Sequence, residues 1–167
     1  MSRKFVILII VIIAIFLLLY YKPKIQEKFQ NFSQKKINII QTWKTNNIPH
    51  KYQPFVNQVK KMNPNAHYMF FTDEDIENFI LSKFPQYHKT FQNFPYTIQK
   101  IDFFRYLAVY YYGGVYLDLD FKNFKSFENI DRNKCIFPLE FMNNNDEILK
   151  QQGFKGLIGN YAFYAPK

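Results

Sequence analysis

The sequence predicts a single α/β domain built on a largely parallel sheet, and three observations support that class. Patterns typical of strands and helices alternate through the middle of the chain, as they do where helices connect parallel strands. Apolar residues make up 48% of the chain and aromatic residues 20%, which is enough to form a packed core. Residues 37–167 have the length of one ordinary domain and are too few for two.

The first strand is expected at 38–40, and a loop follows it as far as Pro54. A helix at 55–62 has apolar residues at helical spacing and ends before Asn63 and Pro64. The other predicted elements, in order, are a strand at 66–71, a helix capped by Thr72 that runs to about Lys83, a helical loop at 84–96, a helix from Thr97 to the glycine pair at 113–114, strands at 115–121 and 135–139, a polar loop at 143–146, and a strand at 157–165.

A long apolar segment lies close to the amino terminus. Residues 5–21 contain no charged residue, glycine or proline, and as a helix they would be about 25 Å long, enough for a thin bilayer. We expect a tail at 1–4, a single transmembrane signal anchor at 5–21 and a polar stem at 22–36. The alternative is a cleaved signal peptide, although no Ala-x-Ala cleavage pattern follows the segment. Basic residues flank both sides, so charge does not decide the orientation.

The chain has a formal net charge of +9, which raises the question of a nucleic-acid partner. Its lysines are scattered among Asn, Ile, Phe and Tyr, and they form no basic cluster of the kind that binds nucleic acid. We therefore expect no nucleic-acid partner.

Two aspartates close the strand expected at 115–121. Side chains alternate along a strand, so Tyr116, Asp118 and Asp120 are predicted to share one face. Two carboxylates so close together repel each other and call for a positive counter-charge. A hard divalent cation such as Mn²⁺ or Mg²⁺ fits, because it prefers oxygen ligands and can bridge to a diphosphate.

The preceding helix carries a charged pair, Asp102 and Arg105, three residues apart on one face. This face lies opposite much of the apolar stripe expected on the same helix. One interpretation is a structural ion pair. The other is a carboxylate and a guanidinium that hold sugar hydroxyls and phosphate oxygens, at the end of a strand where open α/β sheets bind ligands. The stripe consists of Ile98, Ile101, Leu107, Ala108 and Tyr111.

Two other uses of an Asp-x-Asp strand end fit less well. A helix-loop-helix calcium site needs Asp or Asn and then Gly where this chain has Lys122 and Asn123. A phosphatase of the haloacid dehalogenase kind, with Asp118 as nucleophile and Asp120 as acid, would have Thr or Val at the position of Lys122. The calcium site is excluded, and the phosphatase stays a minor alternative.

The segment from Tyr96 to Asp120 resembles the sugar-binding Asp-x-Asp region of glycosyltransferase family 32. The family includes yeast initiating α-1,6-mannosyltransferases and inositol phosphorylceramide mannosyltransferases. The resemblance rests on the helix at 100–106, the sequence Tyr-Gly-Gly-Val-Tyr-Leu-Asp-Leu-Asp at 112–120, and Ile-Ile-Gln-Thr-Trp-Lys at 39–44.

The resemblance implies a GT-A type, Rossmann-like nucleotide-sugar-binding domain with a single amino-terminal anchor in the Golgi or endoplasmic reticulum membrane, the catalytic domain being luminal. It implies transfer of a hexose with retention, mannose being the expectation, from GDP-mannose or a UDP-hexose. The acceptor would be an inositol phosphorylceramide-like lipid or another glycan. Because the chain ends at Lys167 where family members run on, the alternative is a weakly active nucleotide-sugar-binding relative.

The resemblance also assigns roles to residues. Asp120 would bind Mn²⁺ (or Mg²⁺) directly, and Asp118 would contact both the metal and the ribose. Asp102 and Arg105 would hold the donor sugar, and Tyr116 would line the same site. Residues near the nucleoside would be Gln41, Thr42 and Trp43, and the group expected to carry catalysis is Asp102, Arg105, Asp118 and Asp120.

Overall fold

The computed structural model describes residues 13–24, 36–140 and 157–167. The chain divides into two units, Met1–Lys36 and Ile37–Lys167. In the first unit, residues 13–24 form a helix, α1, with exposed side chains. No helix within the described residues is both long and apolar enough to cross a membrane. Residues 5–12 of the predicted anchor and 25–35 of the predicted stem lie outside the described part.

The second unit is a mixed α/β domain. Its elements in chain order are β1 (Asn38–Thr42), α2 (Gln53–Met62), β2 (His67–Phe71), α3 (Asp73–Lys83), α4 (Pro85–Gln92), α5 (Thr97–Tyr112), β3 (Gly114–Leu117), β4 (Leu139–Glu140), β5 (Leu157–Ile158) and β6 (Ala162–Ala165).

The main sheet has the strand order β2-β1-β3-β6. β1 pairs in parallel with β2 on one side and with β3 on the other. The chain therefore leaves β1 in one direction to form β2 and returns across it to form β3. Such a reversal opens a crevice beyond the carboxyl ends of β1 and β3, which is where open α/β sheets bind ligands. β6 runs antiparallel to β3 and makes the sheet mixed.

The two faces of the sheet bury different cores because side chains alternate along each strand. One core is rich in aromatic rings and lies under α3, α4 and α5; its members include Ile40, Phe79, Phe104, Tyr116 and Phe163. The other is smaller and mostly aliphatic and lies towards α2; its members include Ile39, Val59, Val115, Leu117 and Tyr164. The sheet is thus covered by helices on both faces, as the alternating sequence pattern predicts.

A glycine pair lets β3 begin directly after α5. Gly113 has φ 67° and Gly114 φ 109°, a region that side chains disfavour. A Cβ on Gly114 would clash with the carbonyl oxygen of Asn38 in β1. This close approach sets the start of β3 beside β1, and only glycine fits there.

Several sequence-based predictions of the elements need correction. The strand expected at 115–121 ends at Leu117, because the chain turns at Asp118, whose carbonyl accepts from the amide of Phe121 at 3.1 Å. The strand expected at 157–165 is two strands in different sheets, β5 and β6, separated at 159–161. In the strand expected at 135–139, residue 136 makes only an isolated bridge, to Tyr164, and strand structure proper begins at Leu139. The helical loop expected at 84–96 contains a true helix, α4.

The predicted faces of α5 are also partly wrong. Ile98 was expected in the core but is 61% exposed, and Arg105 was expected on the opposite face but is buried. The core residues that α5 contributes are Phe104, Ala108 and Val109. The boundaries of α5 itself are as predicted, from Thr97 to the glycine pair.

Candidate active site

A cavity of about 330 Å³ opens at the carboxyl end of the parallel strands. Its volume lies in the range usual for small-molecule sites. Four segments form it: the end of β1 with the loop after it, the first residue of α3, the first three turns of α5, and β3 with the turn after it. The lining residues are Thr42, Trp43, Lys44, Tyr52, Asp73, Thr97, Ile98, Ile101, Arg105, Tyr116, Asp118, Leu119 and Asp120.

Arg105 is the centre of the buried wall of this cavity. It is only 3% exposed, and its guanidinium lies 4.7 Å from the centroid of the Tyr116 ring. Nη2 lies 2.9 Å from Asp102 Oδ1 and 3.4 Å from Asp118 Oδ1, while Nη1 donates to the carbonyl of Asn160 at 2.8 Å. A buried cation needs such partners, and the arginine fork can serve several at once.

One donor of Arg105 remains unused. Among the described residues, its Nε is the buried side-chain nitrogen or oxygen that has no hydrogen-bond partner. Leaving a buried donor unpaired costs free energy, and such exceptions in a native structure call for an explanation. Because Arg105 lines the cavity, a ligand oxygen is a suitable partner for this donor.

Asp118 is held from two sides. The hydroxyl of Tyr116 donates to its Oδ1 at 2.9 Å, and Arg105 approaches the same oxygen. Burial raises the pKa of Asp118, and the positive charge of Arg105 and the Tyr116 hydrogen bond oppose that shift only in part; the neighbouring charges of Asp120 and Asp102 add to it. A second positive charge would therefore be favoured beside this carboxylate.

Asp120 differs from Asp118 in exposure. It lies in the turn after β3, is exposed, and lines the open side of the cavity. The turn brings both carboxylates to the same cavity, although they do not continue the strand as the sequence predicted.

The three predicted nucleoside residues lie in different environments. Thr42 and Trp43 line the cavity, and the amide of Trp43 donates to the carbonyl of Phe71, which fixes the loop beside β2. Gln41 is fully buried and does not line the cavity. Its amide donates to the carbonyl of Asp118 at 3.1 Å and accepts from the hydroxyl of Tyr68 at 2.9 Å.

Of the remaining predicted residues, Arg105, Tyr116, Asp118 and Asp120 line the cavity, and Asp102 lies just outside it. Asp102 touches the site through its ion pair with Arg105 and is 41% exposed. The structure thus brings the helix pair and the two strand-end aspartates together in one place.

Residues at the site that were not predicted from the sequence include Tyr52, Asp73 and Asn160. The ring of Tyr52 contacts that of Trp43, with centroids 5.1 Å apart. The amide of Asp73 donates to the carbonyl of Lys44 at 3.3 Å. Asp73 lies two residues after the end of β2, so the rule that ligands bind at the carboxyl ends of parallel strands could have identified it. Asn160 is far from Arg105 in sequence, and no feature of the sequence around it indicated that it would reach the site.

The fold and this site define a sugar-binding domain of a glycosyltransferase. The family model described as "Glycosyltransferase sugar-binding region containing DXD motif" matches residues 49–137, which is more than half of the chain. The chain belongs to this family, and the resemblance inferred from the sequence is confirmed. The matched range includes Asp102, Arg105, Asp118 and Asp120.

The chain is similar to several mannosyltransferases of yeasts. The chain is 40% identical over 82 residues to inositol phosphoceramide mannosyltransferase 3 of Schizosaccharomyces pombe, covering 49% of this chain and 23% of that protein. It is 38% identical over 82 residues to a mannosyl phosphorylinositol ceramide synthase of Saccharomyces cerevisiae, covering 49% and 22%.

A longer match, over 128 residues at 29% identity, is to the initiation-specific alpha-1,6-mannosyltransferase of Candida albicans, covering 72% of this chain and 30% of that protein. These matches span less than a third of the relatives' own lengths. The solved structure named PaToxG Glycosyltransferase overlaps with a TM-score of 0.49 at 20% identity, over 93% of this chain and 66% of that chain, which is too distant to support a conclusion.

Proposed function

We propose that this chain is a membrane-anchored, metal-dependent, retaining glycosyltransferase with a GT-A type domain, which transfers a hexose, mannose in the first instance, from a nucleotide sugar to a glycolipid or glycan. The observation that carries the proposal is the meeting of Asp118 and Asp120 with the Asp102–Arg105 pair at one cavity. The cavity lies beyond the carboxyl ends of β1 and β3, and this position supports a nucleotide-sugar site.

The two aspartates suit a divalent cation that is shared with a substrate. Within the described residues, no group of three or more His, Cys, Asp or Glu side chains is arranged to hold a metal. Mg²⁺ and Mn²⁺ commonly bind through one or two carboxylates, and phosphate and water oxygens complete the coordination. Asp120 offers an exposed carboxylate, and burial raises the pKa of Asp118 in spite of the nearby Arg105, so a bound cation would favour its ionised form. When bound, Mn²⁺ (or Mg²⁺) would neutralise the charge of the departing nucleoside diphosphate.

The buried wall suits the hexose and the diphosphate. Asp102 presents a half-exposed carboxylate, an acceptor for sugar hydroxyls, and Arg105 keeps it in a fixed orientation at 2.9 Å. The unused Nε of Arg105 would donate to a sugar or phosphate oxygen. Tyr116 is almost fully buried and acts through Asp118, which its hydroxyl holds in place. Holding the anomeric carbon in one position is the contribution expected of such a rigid wall.

The opposite wall suits the nucleoside. Trp43 and Tyr52 offer aromatic surface, and stacking of a base on an aromatic side chain contributes about 1–3 kcal/mol. Thr42, which also lines the cavity, contributes a hydroxyl that is hydrogen-bonded to Tyr116. Gln41 supports this arrangement from the interior, because its amide joins β1 to the turn that carries Asp118.

The names of the relatives and the amino-terminal sequence bear on the acceptor and on the location of the protein. Two groups of relatives act, by their names, on inositol phosphoceramide, which favours a lipid acceptor over a free glycan. The apolar segment at 5–21 would anchor the chain with its domain in the lumen of the Golgi or endoplasmic reticulum, close to such a lipid. A helix with exposed apolar side chains at 13–24 is compatible with the anchor.

The test is Mn²⁺-dependent release of nucleotide by the full chain in detergent, with a panel of nucleotide sugars and with inositol phosphorylceramide as acceptor. We expect release of one nucleotide, lowered about 100-fold or more in Asp118→Asn and in Asp120→Asn, because each variant loses a charged ligand. Asp131→Asn is the matched control, since Asp131 is an exposed aspartate outside the cavity. Folded wild-type protein that neither binds nor consumes any nucleotide sugar would refute the proposal.

A further inference from the structure

An apolar patch lies on the surface beside the inner wall of the site. It consists of four side chains whose exposed fractions run from 41% to 72%: Phe137, Tyr106, Leu139 and Ile158. Contiguous apolar surface that is exposed to water often marks a site of interaction with another protein or with a membrane. The patch therefore raises the question of its partner.

Ring stacking and strand pairing hold the patch together. The buried ring of Phe163 stacks with that of Tyr106 in α5, with centroids 5.2 Å apart, and with that of Phe137, at 5.1 Å. Leu139 lies two residues after Phe137 and directly opposite Ile158 in the pairing of β4 with β5, so the side chains of Leu139 and Ile158 are neighbours on one face. The patch is thus formed by α5 together with β4 and β5.

The patch borders the part of the site that is assigned to the hexose. Asn160 lies two residues after Ile158, and its side-chain amide donates to Asp102 Oδ1 at 3.4 Å. The carbonyl of Asn160 accepts from Arg105 at 2.8 Å. Tyr106 directly follows Arg105 and lies about one turn of α5 beyond Asp102. The carboxylate of Asp102 is therefore close to the apolar patch.

We propose that the apolar patch docks on the surface of a lipid bilayer and so brings the headgroup of a membrane lipid to Asp102 as the acceptor. The inference rests on the proposed function, since it concerns the acceptor of the same transfer. It assigns a partner to a face of the domain that takes no part in binding the nucleotide.

A lipid acceptor stays in the membrane during the reaction. Each methylene group that leaves the bilayer costs free energy, so a lipid with two long chains exposes only its headgroup. The site must therefore approach the bilayer with the side on which the sugar is transferred. Apolar side chains with tyrosine among them suit that contact, because tyrosine rings favour the membrane–water boundary. α5 presents two such residues four positions apart, Tyr106 and Tyr110, and both are exposed.

The other side of the cavity opening does not suit a bilayer. It is formed by the loop after β1 and the start of α3, where the exposed Lys44, Asp73 and Glu74 carry charges. Charged side chains are costly to place in an apolar boundary, so this side favours water and the charged donor. The opening thus has a charged side for the nucleotide sugar and an apolar side for the lipid.

The first experiment uses Cys135, the only cysteine of the chain, which is exposed and lies two residues before Phe137. A fluorophore is attached to Cys135 of the full chain in phosphatidylcholine vesicles, and quenching by lipids that carry a nitroxide near the headgroup is measured. The control is the double variant Cys135→Ser/Asn57→Cys, since Asn57 is exposed on α2, across the sheet from α5. We expect quenching at residue 135 and little at residue 57, because a docked face enters the boundary by about 5–10 Å.

The second experiment compares two exposed apolar side chains. Ile158→Gln removes the most exposed member of the patch, and Phe124→Gln is the matched control, because Phe124 is 74% exposed and follows β3 outside the patch. With the acceptor lipid in vesicles, Ile158→Gln should lower transfer about 10-fold, the lower end of the effect expected when a large apolar side chain loses an apolar environment. Hydrolysis of the nucleotide sugar in detergent without acceptor should stay unchanged in both variants.

Three results would overturn the inference: equal quenching at residues 135 and 57, a fluorophore at 135 that is shielded from water but not quenched by lipid, or equal transfer by the two variants. The second result would indicate that a second copy or another protein covers the patch. In these cases the proposed glycosyltransferase function stands. Quenching needs no turnover, so a wild-type chain that consumes no nucleotide sugar would overturn the proposed function while quenching at residue 135 still showed docking.

Discussion

The inner and outer halves of the site differ in how much of their geometry the protein sets by itself. The inner half consists of Asp102, Arg105, Tyr116, Asp118 and Asn160, joined by ion pairs and hydrogen bonds. The outer half consists of Trp43, Lys44, Tyr52, Asp73 and Asp120, which line the open side. In the outer half, the side chains of Asp73 and Asp120 have no ion pair among the described contacts.

This difference indicates that the two halves of the site have different roles. A wall that is already organised loses little entropy when it orients the reacting sugar, and its groups act in a partly buried setting where electrostatic interactions are strong. An open wall with unpaired charges gains its partners from the ligand. Substitutions in the inner half should therefore change both stability and activity, and those in the outer half should change binding or turnover alone.

The largest effect is expected for Arg105→Ala. The substitution removes a buried cation, leaves Asp118 with only the Tyr116 hydroxyl as a side-chain partner, and leaves the carbonyl of Asn160 without the hydrogen bond from Arg105. Breaking a buried pair on one side costs about 3–5 kcal/mol, so the free energy of unfolding should fall by about that amount, and nucleotide release should be lost. Urea unfolding of the full chain measures the first effect, with the exposed Lys134→Ala as control. A loss below about 1 kcal/mol would show that the inner half is not held together by Arg105.

Substitution of Asp118 and of Asp120 should show directly how the inner and outer halves of the site differ. Both Asp118→Asn and Asp120→Asn should lower Mn²⁺-dependent turnover about 100-fold or more. Asp120→Asn should leave the unfolding free energy within about 0.5 kcal/mol of the wild type, because Asp120 is exposed. Asp118→Asn should change it measurably, since Asp118 contacts Arg105 and Tyr116. Equal stabilities of the two variants in metal-free buffer would contradict the division.

Gln41 and Trp43 are two residues apart in the sequence, and they allow the same comparison between a residue that stabilises the fold and one that contacts the ligand. Gln41→Leu should lower the unfolding free energy by about 1–3 kcal/mol, because it leaves the half-buried hydroxyl of Tyr68 without its acceptor and the carbonyl of Asp118 without a donor. Trp43→Ala should leave stability nearly unchanged and weaken nucleotide binding by about 1–3 kcal/mol through lost stacking. Denaturation of both variants measures the change in unfolding free energy, and nucleotide titration measures the change in affinity. If Gln41→Leu weakens nucleotide binding as much as Trp43→Ala, then Gln41 belongs to the binding surface after all.

The smallest effect is expected at the start of α3, which carries Asp73 into the outer half. Thr72 accepts from the amide of Asp75, and Asp75 accepts from the amide and hydroxyl of Thr72, so Thr72→Ala should cost about 1 kcal/mol. Hydrogen bonds from Thr72 hold the pKa of Asp75 below its usual value of 3.8. A lowered pKa means that the Asp75 carboxyl loses its proton more readily in the folded than in the unfolded state. The stability that the ionised carboxylate contributes is therefore present above pH 3.8, and it is lost as the pH falls through the lowered pKa.

The difference in stability between the wild type and Thr72→Ala should accordingly shrink as the pH falls from 7 to about 3. Thermal unfolding across this range measures it, and Ser82→Ala, at the far end of the same helix, serves as the control. A difference that stays constant with pH would show that Asp75 does not take part in the cap.

Local patterns were sufficient for much of the fold. The order of elements from β1 to β3 follows from alternating apolar patterns and clear stop signals, such as Asn63 with Pro64 and the glycine pair after α5. The meeting of Arg105 with Asp118 was also predictable, because a helix and the strand that follows it share a topology that directs both to one edge of the sheet.

The remaining features depend on contacts between distant parts of the chain. Leu119 continues the alternation of apolar residues in the predicted strand at 115–121, so the local sequence does not indicate a turn at Asp118. Arg105 looks like a surface residue until Asp118 and Asn160 are brought beside it. Asn160 itself is placed by the antiparallel pairing of β6 with β3, which no spacing in the sequence indicates.

That antiparallel pairing also bears on the order in which the protein can assemble. Since β6 runs against β3, its first residues lie at the end of the sheet where the cavity opens, and Asn160 just before it reaches Arg105. During synthesis, α5 and β3 emerge well before residue 160, so Arg105 must wait for one of its acceptors. Pairings over such sequence separations form slowly. We therefore expect the pairing of β6 with β3 to be a late folding step, and a nascent chain that lacks β6 would leave the ring of Tyr116 without its contact to Phe163.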